Sequence, residues 1–385
     1  MRFVAGFLSV LGVGILLIVL ASYHYSSTHN ILNDATIIST KDGSSIQEVT
    51  TIVKESEGAM IPQITNVTVF LTTRDNPADS IFTTGTLDRF GSGKIRYIIH
   101  NGDCSCNATT QPVLRRNPCL AVSRDCPHRA LKCKYPRCKT LITNDEFCKP
   151  KGTKYDAREY YNADTPETPY IPLGPRSDSW ASFQKIKKKA TAKHGQQQFS
   201  IVPASKRKYA FNAIFSRSTN DGRIKLATII EDNHNHDHNN LTVFTQMAEK
   251  WIRDVNNPKR KSGHLNTDSY MQVLLDSTFT LAPSGHNPEC FRLYEAIEAG
   301  SIPVFVRDDD YDNQNCKQSL HWWFDVEPKA PIVVLQNSWE EMYPTVQKLL
   351  QDPAALDEQQ ARLRVWYGNY MRRVTAEFET FLLAG

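Results

Sequence analysis

From Lys206 to Leu350 the chain alternates short apolar runs with helix-patterned segments, and few folds accept that alternation. "KYAFNAIFS" reads as a strand, "TNDGRIKLATIIED" as a helix with Asp221 near its start, and "SYMQVLLDSTFTLAPSG" as a helix turning into a strand. A helix carrying Arg292 and Glu295 follows, then the strand "SIPVFV", later "APIVVLQN", and a helix from Trp339 to Leu350. Strand and helix in turn, joined by short connections, predict a parallel sheet covered on both faces.

The stretch "LAPSGHNPECFRLYEAIEAGSIPVFV", Leu281 to Val306, carries the polar chemistry. "TFTLA" reads as a buried strand, Pro283, Ser284 and Gly285 turn the chain, and Gly285 permits close backbone approach to a ligand. Asn287 is suited to cap a helix, Pro288 to open it and Glu289 to sit in its first turn, with Gly300 closing it. A helix start of this kind presents free N–H groups and partial positive charge, where a phosphate would settle. Arg292, one turn in, could fork onto phosphate oxygens; Glu295, on the same face, could accept two hydrogen bonds from a ribose diol. Spacing alone equally describes a plain Arg292–Glu295 surface pair, worth about a few tenths of a kcal/mol.

Upstream, the strand patterns are shorter. "NVTVFLTT" from Asn66, "KIRYIIHNGD" from Lys94 and "TLITND" from Thr140 each end in polar residues, which an α/β sheet presents at its carboxyl edge. Seven of the nine cysteines fall between Cys104 and Cys148, and their spacing lacks paired CxxC knuckles. They read as a disulfide framework in a stapled insertion, with the odd total leaving one thiol free or paired with another chain, so an oligomer is compatible with the count. "TPETPYIPLGPRSDSW", Thr165 to Trp180, is too rich in proline for a helix interior and marks a crossing between two halves. The lysines of "QKIKKKATAKHG" read first as a solvated face, and docking of an acidic acceptor is the sharper alternative. His234, His236 and His238 read as a polar loop and not a metal site. Trp366, Tyr370 and Phe378, at helical spacing in the tail, read as packing.

The chain opens with twenty uncharged residues, Phe3 to Ser22, enough to span roughly 30 Å as a helix. Length and the following Tyr23, His24 and Tyr25 favour an uncleaved anchor over a signal peptide, predicting a single-pass type II protein of the Golgi membrane with its bulk in the lumen. Acceptor tripeptides for glycosylation at Asn66, Asn107 and Asn240 agree with that compartment. The predicted organisation is an anchor at 1–22, a polar stem at 23–65, an N-terminal acceptor-side domain at 66–180 and a C-terminal nucleotide-sugar domain at 181–385. A net charge of +4 from 45 basic and 41 acidic residues lacks the field of a dedicated nucleic-acid binder.

"SGHNPECFRLYEAIEAGSIPV" resembles the donor-nucleotide segment of the exostosin-type glycosyltransferases, and "YIPLGP", "FNAIFSRSTNDGRIKL", "PIVVLQNSWEEMYPTVQKLL" and the helix of Trp366 and Tyr367 agree in order. The similarity runs from Pro169 to the C-terminus and is faint before it. It implies a GT-B architecture of two Rossmann-like domains facing a cleft, an inverting transfer from a UDP-sugar to a glycan or glycoprotein, and no metal cofactor. Xylose, glucuronic acid, galactose and arabinose stay open as the sugar. By the same resemblance Cys290 pairs with Cys316, and a basic side chain of "FSRSTNDGR" reaches the diphosphate; Arg217 is preferred to Arg223, which would lie inside the helix. The donor set is then Arg217, Ser284, Gly285, Asn287, Arg292 and Glu295. "RDDDYDN", Arg307 to Asn313, is read as a solvated turn, because arginines and a helix start can neutralise a diphosphate. The base that deprotonates the acceptor must come from the opposite domain, with Glu146 or Asp145 first and His100 and Asp103 behind them. An inactive carbohydrate-binding or complex-forming subunit is the competing reading.

Overall fold

The computed structural model describes residues 64–72, 87, 89–101, 118–123, 128–142, 156–158, 166–193, 199–235, 241–249, 265–285, 289–307 and 320–384. All of them fall in one compact unit, Ile61–Gly385. Two five-stranded sheets organise it, each parallel throughout.

The first sheet has the order β2-β1-β3-β4-β5, from β1 (Thr65–Leu71), β2 (Ile95–Asn101), β3 (Cys119–Ser123), β4 (Lys139–Ile142) and β5 (Ala157–Arg158). Between β3 and β4 lies α1 (His128–Lys134). The cysteine-rich segment, expected as an insertion, instead supplies the middle strand, β3, with every residue buried. Buried cysteine behaves as a small apolar residue, so a run bounded by cysteines can be sheet core. Cys119 is disulfide-bonded to Cys138, which ties β3 to the start of β4, and Cys133 of α1 is disulfide-bonded as well.

The second sheet has the order β10-β9-β8-β6-β7, from β6 (Tyr209–Ser216), β7 (Val243–Ala248), β8 (Ser277–Leu281), β9 (Ile302–Val306) and β10 (Val333–Leu335). Its helices are α2 (Ser177–Lys193), α3 (Asp221–Asn235), α4 (Thr267–Leu275), α5 (Phe291–Glu298), α6 (His321–Phe324) and α7 (Met342–Leu350). β8 and β9 are buried along their whole length, as expected of strands covered on both faces. In each sheet the first strand lies between the second and the third, so the chain reverses its direction of travel at β1/β3 and again at β6/β8.

The chain ends in α8 (Pro353–Leu383), 31 residues and about 46 Å long. Asp352 caps it, accepting from the Ala355 N–H at 3.0 Å, and Pro353 occupies the first turn, where no N–H is missed. Trp366, Tyr367, Tyr370, Met371 and Val374 pack into the core of the second sheet, the packing expected of Trp366 and Tyr370, and Trp366 stacks on Tyr370 with centroids 5.0 Å apart. Phe378 and Leu382 join Val67, Val69, Leu120, Val122 and Leu141 in the core of the first. Glu379 accepts from the Ser92 N–H at 3.0 Å and so fixes the last turns of α8 to the N-terminal half.

Several expectations are corrected or lie beyond the described residues. No helix among the described residues is long and apolar enough to cross a membrane, so the type II Golgi-membrane placement is not carried forward; Phe3 to Ser22, on which it rested, lies outside the described residues. Asn107 and Asn240 lie outside them too, whereas Asn66 is an exposed residue of β1. His236, His238 and the acidic run 308–310 are likewise outside. Ser177 to Lys193 is a helix, so the lysine-rich segment sits on α2, which packs on α4 through Phe183, Tyr270 and Met271.

Gly300 ends α5 with φ 72°, the left-handed conformation that closes a helix at little cost only in glycine. A Cβ there would collide with Ile201 Cγ2 and Arg207 Nη2. Arg207 is held in place, donating to the carbonyls of Ala299 (2.8 Å) and Leu274 (3.2 Å) at the ends of two helices and of Ser277 (2.9 Å) at the start of β8. Gly300→Ala should therefore lower stability by roughly 2–4 kcal/mol, left-handed strain plus overpacking. Gly93 has the same φ of 72° but open space around it, so Gly93→Ala should cost only about 1–2 kcal/mol. Urea denaturation of the two variants checks this, and equal losses would refute the steric argument.

Candidate functional site

The switch point between β6 and β8 is where an open α/β sheet forms its crevice, and two loops meet there. After β6 a tight turn, Arg217–Thr219, leads to Asn220, whose Oδ1 caps α3 by accepting from the Arg223 N–H at 3.0 Å. The Asn220 Nδ2 donates across the crevice to the carbonyls of Ser284 (2.8 Å) and Gly285 (2.9 Å), beyond the end of β8. One asparagine thus starts a helix and holds the opposite loop in place.

Arg223 lies in the first turn of α3 and is only 6 % exposed. Its Nε donates to the Ser284 carbonyl at 2.5 Å, Nη2 to the Pro283 carbonyl at 3.4 Å, and Nη1 to Thr219 Oγ1 at 3.2 Å. No carboxylate among the described residues pairs with it. Burial, and then the neighbouring Arg292 guanidinium, push its pKa down to about 9, with the Cys290 thiol acting the other way. Arg292, the second residue of α5, is half-buried, makes no ion pair among the described residues, and leaves its Nε without a hydrogen-bond partner. The Arg292 guanidinium therefore lies near enough to Arg223 to disfavour its charge, both partly desolvated and without a carboxylate partner among the described residues, at the start of a helix whose cap residue Cys290 makes no side-chain cap bond. Like charges held together in this way destabilise the protein and suit an anion that arrives later.

The two other glutamates of this region point to different work. Glu295 is 2 % exposed; its Oε1 accepts from Arg176 Nε at 3.1 Å and its Oε2 from the Tyr270 hydroxyl at 2.6 Å. Burial alone would raise its carboxyl pKa, but the Arg176 guanidinium and hydrogen bonds from Tyr270 and Ser179 hold it below the usual range. Glu289 is 3 % exposed and accepts from the Leu173 N–H at 3.0 Å and from the Tyr294 hydroxyl, and burial pushes its pKa up to about 7.

Of the expected donor set, the structure brings together Ser284, Gly285 and Arg292. Arg217 lies elsewhere, tied to Glu231 and Glu249, whereas Arg223 is the side chain beside Ser284 and Arg292. Helical side chains lean toward the N-terminus, so an arginine in the first turn of α3 reaches back over the strand end although it lies inside the helix. Glu295, expected to meet a ribose, is 2 % exposed and already accepts on each oxygen from a protein donor, Arg176 and Tyr270. Helix α5 starts at Phe291, later than expected, which puts Glu289 before the cap. Cys290 is a free cysteine, so its pairing with Cys316 is absent, and Cys316 lies outside the described residues, as do Asn287, Asp145, Glu146 and Asp103. His100 lies on β2. Asn220, Arg176 and Tyr270 were missed. The capping preference of Asn ahead of a helix was the one available signal, for Asn220.

The family described as the RXYLT1 C-terminal domain matches residues 191–384. The human protein named ribitol-5-phosphate xylosyltransferase 1 is 28 % identical over 201 residues, covering 48 % of this chain and 42 % of that protein. Its Danio rerio counterpart is 26 % identical over 182 residues, covering 46 % and 38 %. The match thus spans under half the length of these relatives. Among solved structures, an alpha-glucosyltransferase in complex with UDP and a 13-mer DNA superposes with a TM-score of 0.50 at 11 % identity, over 83 % of this chain and 99 % of that one. At that identity the likeness is one of fold, the two-sheet α/β arrangement expected as GT-B.

The arginine pair makes a binding prediction. Sulfate should bind the native protein, and Arg223→Ala should remove most of that affinity. Isothermal titration calorimetry at pH 7 measures it, and native affinity in Arg223→Ala would separate Arg223 from the anion.

Proposed function

The chain belongs to the RXYLT1 C-terminal domain family, and from that premise we propose that it is an inverting glycosyltransferase that uses a UDP-sugar. Xylose is the first sugar to test, given the name of the relatives it resembles. The acceptor is a hydroxyl of a glycan or glycoprotein. The observation that carries this reading is the pair of buried Arg223 and half-buried Arg292 at the β6/β8 switch point, with no carboxylate partner among the described residues and with Arg223 held against the Ser284 carbonyl.

In such a transfer the bond from the anomeric carbon to the diphosphate breaks while the acceptor oxygen attacks from the opposite face. Negative charge grows on the departing UDP, and donors already aimed at it lower the barrier without reorganising. Arg223, Arg292 and the first N–H groups of α5 supply that field. With two fixed cations beside the diphosphate, a divalent metal is not required, and activity should survive chelation. The acceptor proton leaves to a carboxylate from the first sheet's half, Asp145 or Glu146, which follow β4 in sequence. Glu146→Gln and Asp145→Asn should separate the two: the variant of the base loses about 10²–10⁴ in kcat with donor KM little changed. Neither variant losing activity would remove both.

The occupied carboxylate of Glu295 favours a second reading, an inactive subunit that binds carbohydrate or assembles with a partner. UDP release measured with a panel of UDP-sugars, together with UDP titration, discriminates. Turnover with one donor, lost in Arg223→Ala and Arg292→Ala and kept in Arg217→Ala, supports the enzyme. No turnover and no UDP binding would sink it.

A further inference from the structure

Three acids cluster on α5 and just before it, and two of them take an arginine. Glu298 accepts from Arg89 Nη2 at 2.5 Å and from the Tyr367 hydroxyl at 3.0 Å, and Glu295 is paired with Arg176. Glu289 pairs with no cation among the described residues. A buried carboxylate without one is costly, and packing alone would favour an apolar side chain in its place. Its partners indicate what the carboxylate does. The Leu173 N–H belongs to the segment joining the two halves, one residue before Gly174 turns that segment at φ 66°. Glu289 itself sits next to Cys290, the cap of α5, and a few residues after the Ser284 and Gly285 carbonyls that Asn220 grips.

The joining segment is held a second time, three residues earlier, where the Tyr170 hydroxyl meets the Tyr370 hydroxyl of α8 at 3.1 Å. Tyr370 also hydrogen-bonds Tyr294, which donates to Glu289. Linker, C-terminal helix and the start of α5 are thus closed into one buried ring through Glu289. We propose that Glu289 is a positioning residue that fixes the start of α5 to the segment joining the halves, so that the arginine pair meets the diphosphate in register. This rests on the reading of that pair as the donor site.

Glu289→Ala, Glu289→Gln and Tyr294→Phe in the full chain test it, with donor kinetics and with amide hydrogen exchange on the free protein. Glu289→Ala should raise the donor KM about tenfold, the scale of one lost hydrogen bond to a charged group, while kcat and acceptor KM change far less. Exchange at Leu173 and Ala282 should quicken together. Glu289→Gln keeps an oxygen for the Leu173 N–H and should restore both readouts, with Tyr294→Phe intermediate. A folded Glu289→Ala with native donor KM and native exchange overturns the proposal, and so does Glu289→Gln failing as fully as alanine. If the alanine variant does not fold, Tyr294→Phe decides, an unchanged donor KM counting against. If the native chain turns over no UDP-sugar, the donor reading falls, and exchange at Leu173 still decides whether Glu289 couples loop to linker.

Discussion

Because β6 pairs in parallel with β7 on one side and β8 on the other, the connections leaving β6 and β8 must travel in opposite directions across the sheet. Right-handed crossovers then carry α3 and α5 to opposite faces, which leaves a gap beyond the ends of the two strands between them. Both helix starts border that gap. Since helical side chains lean back toward the N-terminus, an arginine early in either helix is driven over the gap. The charge arrangement of the crevice is therefore a consequence of strand order, with Asn220 setting the spacing of the walls.

This geometry explains what could be read from the residues and what could not. Strands β6, β8 and β9 and helices α5 and α8 were legible because a long apolar run or a steady helical period is a local property. Ser284, Gly285 and Arg292 were legible for the same reason, lying within one short stretch. Strand β3 was not, because its boundaries are cysteines whose role depends on partners far along the chain. Arg217 and Arg223 are six residues apart in one polar segment, and only the direction of α3 decides between them. The partners of Glu295, Arg176 and Tyr270, were not legible because they come from two other elements that no spacing rule connects to α5.

The acids on α5 and just before it share a pattern that becomes visible only with those partners. Glu289 reaches the joining segment at Leu173, Glu295 reaches it at Arg176, and Glu298 reaches Arg89 of the N-terminal half, whose guanidinium also lies 3.5 Å from the Trp180 ring centroid. The opposite face of the helix is apolar, with Leu293 and Ile297 in the core of the second sheet. A helix of eight residues is too short to be stable alone, so these contacts supply its order. The consequence for chemistry is that a side chain such as Arg292 inherits its precision from both halves of the protein.

Helix α8 has an implication for how such a protein can be recombined. It begins against the second sheet and ends with Phe378 and Leu382 inside the first, where Lys139 of β4 donates to the carbonyls of Phe381 and Ala384 at its last turn. The half built on the first sheet is thus discontinuous in sequence: its core is completed by residues that lie beyond the whole of the second sheet in the chain. A chimera exchanging this half with a relative's needs two junctions, one near the joining segment and one in α8 after Val374. With a single crossover, the foreign sheet would receive a closing helix selected for another core.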